Sequence, residues 1–346
     1  MISASLFDVV QCPDCASTLE AADGTARCRG CGRAFDASAG FLDLRPAAAF
    51  AEQTKYTLDA LHTDARHEVI APPVLGAKIR FDLLRRFLAP GPGDRIVDLG
   101  CGSGRTLAWN ADAGARLVGI DVSPFFAPEA VARHDLVLGD LRRAPLRSGA
   151  FNKAWSLDVL EHLSPQALAD VLREAHRVLS AGGALFVYTH VRRNGWPAIG
   201  VRLVNRLARL CERLGLLDLR QERLRKSDHL NPIADHDDLA RIVESCGFHI
   251  ERITYYTPVV GAFVENVLAR IAERHLVRGV RRSVPTGATS DGASARTVRA
   301  SAQARVKRGG ALYRSLLVWS AIMKIDLLLF GRVRSGPFFA LLRKTG

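Results

Sequence analysis

Three sets of residues in this 346-residue chain have types and spacings that could do chemistry. Cys12 and Cys15, then Cys28 and Cys31, make two C-x-x-C pairs with twelve residues between them. Two such knuckles can present four thiolates tetrahedrally, the closed geometry of a structural zinc site. Asp98, Gly100, Gly102 and Gly104 follow an apolar run as D-x-G-x-G-x-G. Glycines where a strand turns into a helix permit a tight turn and let a ligand approach the backbone with no Cβ in the way. An acid ends each of the next two apolar runs, Asp121 in "LVGID" and Asp140 in "LVLGD". His162, His190 and His229 are placed among loop-like segments and carry the side chain that titrates nearest neutral pH.

The elements that must position these groups are legible in the periodicity. From Asp94 short apolar runs ("RIVDLG", "RLVGID", "DLVLGD", "KAWSLDVL", "GALFVYTH", "GFHIERITYY") alternate with stretches of helix length. That pattern predicts βαβ units and a parallel sheet covered by helices on both faces, an α/β fold. Residues 1–45 read as a compact cysteine module, and 46–90 as a helical linker or cap, with apolar spacing at Phe81, Leu84, Phe87 and Leu88 before a Pro-Gly-Pro-Gly break. The core spans 91–261 and is interrupted by an insertion at 191–234; a second insertion covers 262–335, and "GPFFALLRK" within 336–346 reads as a last core strand. Both insertions follow a strand, so both leave from the sheet edge where ligands bind in open α/β folds. From Ser283 to Gly310, 17 of 28 residues are Gly, Ala, Ser or Thr, too few large apolar groups to offset the entropy of ordering, and a mobile loop is expected there.

The ordered set "VDLGCGSG", "GIDVS", "GDL", "AWSLDVLEHL" and "EAHRVLSAGGALFVYTH" resembles the class I, Rossmann-like S-adenosylmethionine-dependent methyltransferases, in particular their small-molecule branch typified by quinone C-methyltransferases. The resemblance covers roughly residues 89–256 and implies a seven-stranded sheet. It also implies site roles: Asp98 and Gly100, Cys101, Gly102 and Gly104 line the methionine part of the donor; Asp121, with Val122 beside it, accepts the ribose hydroxyls; Asp140 and Leu141 flank adenine; Leu157, Asp158 and Leu160 close the site beneath the sulfonium. Two carboxylate oxygens suit two vicinal hydroxyls. Transfer from a sulfonium mainly needs donor and acceptor aligned, with a general base only when the acceptor arrives protonated. His162, His190 and His229 are the candidates, and His229, resembling a pocket-rim histidine of relatives, is preferred on the acceptor side.

The cysteine module looks like the zinc ribbon of the small activator subunit of eukaryotic RNA and protein methyltransferases, and like the ribbon heading some ribosomal RNA guanine methyltransferases, which touches RNA. A disulfide framework is the alternative. The N-terminus "MISASLFDVVQCPDC" has no basic segment leading into an apolar one, so a cytoplasmic setting is expected, in which zinc is favoured and Cys101, Cys211 and Cys246 stay reduced.

Net charge is +13, yet residues 192–226 carry +7 and 270–308 carry +8, leaving the rest at −2. Basicity therefore belongs to the insertions. Within the ribbon, Asp14, Glu20, Asp23, Asp36 and Asp43 offset Arg27, Arg29, Arg33 and Arg45, which argues against a phosphate-binding surface there and for a folding or docking element. In "IGVRLVNRLARLCERL" at 199–214, Leu203, Leu207, Leu210 and Leu214 form one helical stripe and Arg202, Arg206, Arg209 and Arg213 the next. We read it as a cap helix burying its leucines while arginine stems run along the surface; a helix lying on an anionic membrane, at the inner face, is the other reading. Residues 311–330 are apolar but contain Arg314, Lys324 and Asp326, leaving only Ser315 to Met323 free of charge, far short of the ~20 residues a span requires. Leu312, Leu316, Trp319, Met323 and Leu327 are then a buried or interfacial stripe.

The sequence thus points to a methyltransferase for a small or amphipathic acceptor such as a lipid, isoprenoid or polyketide-like metabolite, using S-adenosylmethionine and a structural Zn2+. An RNA methyltransferase using the ribbon and basic segments, and a non-catalytic cofactor-binding partner, are the alternatives.

Overall fold

Apolar runs bounded by turn residues become strands in the computed structural model, which describes residues 2–46, 69–219, 229–272 and 305–346. Strands β5 (Arg95–Leu99), β6 (Arg116–Asp121), β7 (Asp135–Leu138), β8 (Phe151–Leu157), β9 (Leu179–His190), β10 (Phe248–Tyr255) and β11 (Pro337–Lys344) are the seven expected of the core. They run in the order β10-β11-β9-β8-β5-β6-β7. All pairings are parallel except those of β11, which is antiparallel to both neighbours. The mixed α/β sheet therefore reads as the sequence pattern requires, and the run ending "GPFFALLRK" is its last strand.

Before it, β1 (Leu19–Ala22), β2 (Thr25–Cys28) and β3 (Ala34–Asp36) form a small antiparallel sheet around the cysteines. The next strand, β4 (Leu42–Asp43), adds an eighth, parallel edge to the main sheet by pairing Leu42 with Val137 and Asp43 with Leu138. The cysteine module is also stitched beneath the core: Ser3 Oγ donates to Asp135 (2.6 Å), and Arg147 donates to the Val10 and Phe7 carbonyls (both 3.0 Å). Leu6, Val9, Val10 and Leu42 are buried in the same apolar cluster as the sheet. The cysteine module is therefore part of one core.

Helices cover both faces. On the ribbon side lie α4 (Pro165–Val178) and α6 (His236–Ser245). The first is capped by Ser164, whose hydroxyl accepts from Ala167 N, has Pro165 in its first turn, and buries Leu168, Val171, Leu172, Ala175 and Val178 at helical spacing. At ~1.5–3 kcal/mol for each large apolar side chain buried, this face far outweighs the helix's intrinsic propensity. On the other face lie α1 (Leu75–Leu88), α2 (Arg105–Trp109) and α3 (Pro128–Arg133). Of the linker at 46–90, residues 47–68 lie outside the described residues.

The insertions supply α5 (Ala198–Arg213), α7 (Val259–Phe263, continuing through a π-helical turn at Val264–Leu268), α8 (Ala311–Met323) and α9 (Ile325–Phe330). Two of the three charges that break the apolar 311–330 stretch, Lys324 and Asp326, have structural partners. Asp326 is fully buried and accepts from Val260 N (3.0 Å) and Gly261 N (2.8 Å), capping α7, while Lys324 bonds Asp82 of α1 (2.6 Å). Ser320 Oγ accepts from Leu75 N (2.7 Å) at the start of α1. Among the described residues no helix is long and apolar enough to cross a membrane. Of the expected stripe, Met323 is buried and Leu316 and Leu327 half-buried, but Leu312 and Trp319 are exposed. The loop expected from Ser283 to Gly310 lies outside the described residues as far as 304.

The reading of α5 is overturned. Leu203, Leu207, Leu210 and Leu214 do not face inward; they are 42–66% exposed. The face turned to the body carries Val201, Val204, Ala208 and Cys211, with Ala208 packed beside Leu217, Leu219 and Val267. The cause is close packing: a Cβ built on Gly200 would come 2.9 Å from the Val259 methyls, and so tight an approach to α7 admits small side chains where leucines would collide.

Candidate active site

The glycine turn follows β5. Gly100, Gly102 and Gly104 have φ of 85°, 53° and 81°, the left-handed region that glycine enters without strain. The reasons for glycine differ by position. At Gly100 a Cβ would fall 2.4 Å from Val159 Cγ2, and at Gly104 2.5 Å from Ala130 Cβ. At Gly102 nothing lies within 4 Å, so the backbone there faces open space into which a ligand could pack. Asp121 at the end of β6 holds the turn: Oδ2 accepts from Gly102 N (2.7 Å) and Oδ1 from Ser123 N (2.9 Å). Burial raises its pKa and these backbone donors counter the rise. Each oxygen keeps a lone pair for a hydroxyl.

Asp98 is buried, and its Oδ2 has no hydrogen-bond partner. Burial pushes its pKa up to about 7. A buried carboxylate oxygen without a donor is costly and suits a ligand bringing a positive charge or N–H group. The residues present therefore fit an amino-acid-like end of a cofactor. Cys101 is buried with its sulfur turned toward Gly119, so only its backbone faces the turn; burial raises its thiol pKa well above the ordinary value. Val122 is half-buried beside Asp121. Asp140 lies two strands from the turn, at the end of β7. Its carboxylate accepts from Arg142 N (2.9 Å) and pairs with the Arg142 guanidinium (2.9 Å), with Leu141 next to it in a short 3-10 turn.

The segment after β8 lies against the turn through Val159 over Gly100, and Ser156 Oγ donates to the Leu99 carbonyl (2.9 Å). Leu157 is half-buried and Leu160 buried. Asp158 adopts φ of 57°, a strained value for a non-glycine residue, held by its N–H to the Tyr188 carbonyl (3.1 Å), with Arg80 3.5 Å from its carboxylate. Such strain persists where the surroundings over-determine it, and it recurs here at Asn231, φ 45°.

The three histidines, far apart in sequence, are gathered together. The His162 and His229 rings meet edge to face at 4.7 Å between centroids, and His190 stacks on His229 at 5.7 Å. Sequence reasoning missed the carboxylate beneath them. Glu161 is buried; it accepts from Thr189 Oγ1 (2.9 Å), lies 3.6 Å from His190 Nδ1, and its carbonyl accepts from Asn231 N (2.9 Å). Burial, reinforced by Asp158, pushes Glu161 up to about 8. Ligand atoms of Glu161, His162 and His229 lie within 4.8 Å of one another. The signal was its place in "LEHL", beside a histidine already chosen. Arg80, whose guanidinium lies over the Tyr188 ring at 5.4 Å, gave none, because on α1 it looks like any surface arginine.

Away from this cluster, Cys12 and Cys31 sulfurs are 3.8 Å apart and Cys15 and Cys28 3.4 Å, all four within 4.8 Å and none in a disulfide. Tetrahedral thiolates at ~2.3 Å from zinc stand about 3.8 Å from each other, so the donor set fits that ion. Cys28 Sγ also accepts from Gly30 N (3.3 Å) and Cys31 N (3.4 Å), as thiolate ligands do.

Comparison with known proteins shows what part of the chain is similar to. Residues 97–187, from within β5 into β9, match the family model described as a methyltransferase domain. That stretch of the chain is similar to a methyltransferase domain. An uncharacterized methyltransferase of Synechocystis sp. is 31% identical over 121 residues, covering 33% of this chain and 57% of that protein. The ubiquinone biosynthesis O-methyltransferase of Pseudomonas aeruginosa is 37% identical over 112 residues, 30% of this chain and 46% of that one. The chain thus spans about half the length of the curated relatives it matches. A phosphoethanolamine N-methyltransferase 2 of Haemonchus contortus, solved with S-adenosyl-L-methionine, superposes with a TM-score of 0.46 at 17% identity, covering 81% of this chain and 54% of that one. The matched stretch holds the glycine turn, Asp121, Glu161 and His162; His229 reaches it from the first insertion.

Proposed function

We propose that this protein transfers a methyl group from S-adenosylmethionine to a small apolar or amphipathic acceptor, with His229 as the base on the acceptor side. The observation that carries the reading is the gathering of His162, His190 and His229 over buried Glu161, on the segment that lies against the glycine turn. The donor supplies an electrophilic methyl on a positively charged sulfur. Asp98 would meet the donor's ammonium and Asp121 its ribose hydroxyls, while Gly102 leaves room for its backbone. His229 takes the proton from an acceptor O–H or N–H as the new bond to carbon forms and the sulfur–carbon bond breaks, leaving adenosylhomocysteine and a protonated imidazole. His162 and His190 fix the ring of His229, and Glu161, hydrogen-bonded to Thr189, steadies His190. The small-molecule reading is supported by the P. aeruginosa relative's name. RNA gains little support, because Arg29, Arg33 and Arg45 of the ribbon pair with Glu20, Asp14 and Asp43.

The test is adenosylhomocysteine release screened over metabolite, lipid and RNA extracts, with mass spectrometry of the methylated product. Product in the metabolite or lipid fraction is expected; product only in RNA would overturn the acceptor class. We further propose that Cys12, Cys15, Cys28 and Cys31 hold one structural Zn2+, which joins β1–β3 to the core. Atomic emission should find one zinc per chain, and folded, metal-free protein would end that idea.

A further inference from the structure

We propose that the cap formed by α5 and α9 is a docking face for an anionic lipid bilayer, from which the acceptor reaches the histidine pocket; this rests on the methyltransferase reading and names the source of its acceptor. α5 meets the body through Val201, Val204, Ala208 and Cys211, of which Ala208 is buried and the others half-buried, so the leucine stripe is not the face that packs it. Leu203, Leu207, Leu210 and Leu214 are nonetheless presented to solvent, with Ile199 and Trp196 continuing the stripe at 51% and 67% exposure. Single exposed leucines need no explanation, but a contiguous apolar surface does. Trp196 extends it to the second insertion: its ring meets Phe330 at 5.9 Å, and Ile325, Leu328 (84% exposed) and Leu329 stand exposed on α9. α9 is fixed to α7 through Asp326, and α7 packs on α5 at Gly200. One rigid cap therefore carries apolar residues from both insertions.

Charge identifies the occupant. Arg202, Arg206, Arg209 and Arg213 are exposed on the same outward half of α5 and have no ion pair among the described residues. A helix with a leucine stripe and an arginine stripe side by side suits the boundary between anionic headgroups and acyl chains, with the helix lying flat. A second copy docked about a twofold axis would set four guanidinium groups against four. Nor do the flanking segments of the chain complement the face: residues 220–228 hold four basic and two acidic residues, and 273–304 six basic and two acidic. The cap rises from the C-terminal ends of β9 and β10, the side on which His190 and His229 stand, so a bilayer under it adjoins the pocket.

The test is co-sedimentation of the full chain with vesicles of phosphatidylcholine alone and with about a third phosphatidylglycerol. Binding to the anionic vesicles, weakened by salt and about fivefold by each of R206Q and R209Q, is expected, and L207E/L210E should abolish it. All four side chains are exposed, so the variants should keep their unfolding temperature and their adenosylhomocysteine affinity. Vesicle binding unchanged in L207E/L210E, or absent in the wild type, would overturn the docking face while leaving the donor site standing; so would a wild-type dimer that L207E/L210E converts to monomer.

Discussion

The proposed donor half and the proposed acceptor half of this site are built in opposite ways. The donor half is nearly contiguous: Asp98 to Gly104 form one turn, held by Asp121 one βα unit later, and its shape is set by backbone hydrogen bonds and by glycines that the local geometry requires. The acceptor half is assembled from α1, the ends of β8 and β9, and the loop before α6, and its shape is set by side chains meeting across long sequence distances. A backbone-built site tolerates little variation and so leaves a motif, whereas a side-chain-built site can change substrate by exchanging single residues and leaves almost none.

Substitutions can break this contrast. The largest effect is expected for His229→Ala, which should lower kcat by about 10²- to 10⁴-fold while donor affinity stays within about twofold. Equal loss of both would mean that the halves are not separable. Next, Gly100→Ala should destabilise the fold by about 2–4 kcal/mol in denaturant titration, since it combines left-handed strain with a clash against Val159. Adding Val159→Ala should restore part of that loss, because Val159 is where the acceptor-side segment touches the turn; no coupling would separate the two.

The smallest effect concerns Glu161. Its folded pKa, about 8, is above the ordinary carboxylate value of 4.5, so the folded state holds this proton more tightly than the unfolded chain. The stability this contributes is full below about 4.5 and is lost as pH rises through about 8. Asp98, pushed up to about 7, acts in the same direction. Thermal unfolding should therefore show a decline from pH 5 to 8.5 that Glu161→Gln makes shallower without removing it. An identical decline in the variant would mean that Glu161 is ionised in the folded protein.

The same contrast explains what the sequence could disclose. The sheet, its last strand and the glycine turn were legible because short apolar runs, glycine spacing and acids at strand ends are local signals. The three histidines could be nominated one by one, but nothing local says that they share a cluster or that Glu161 lies beneath it. On α5 the helical period correctly separated stripes yet did not say which faces the body; leucines are the stronger apolar signal, but the close approach at Gly200 gave the buried side to Val201, Val204 and Ala208. Two-residue β4 was invisible because its pairing with β7 is purely a matter of tertiary position.

The most direct test is calorimetric titration of adenosylhomocysteine into the wild-type protein and Asp121→Ala. If the turn and Asp121 form the donor site, the wild type should bind one equivalent and the variant about 100-fold more weakly, the cost of two hydrogen bonds to a carboxylate. Equal affinity in the two, with both folded, would contradict the assignment of the glycine turn.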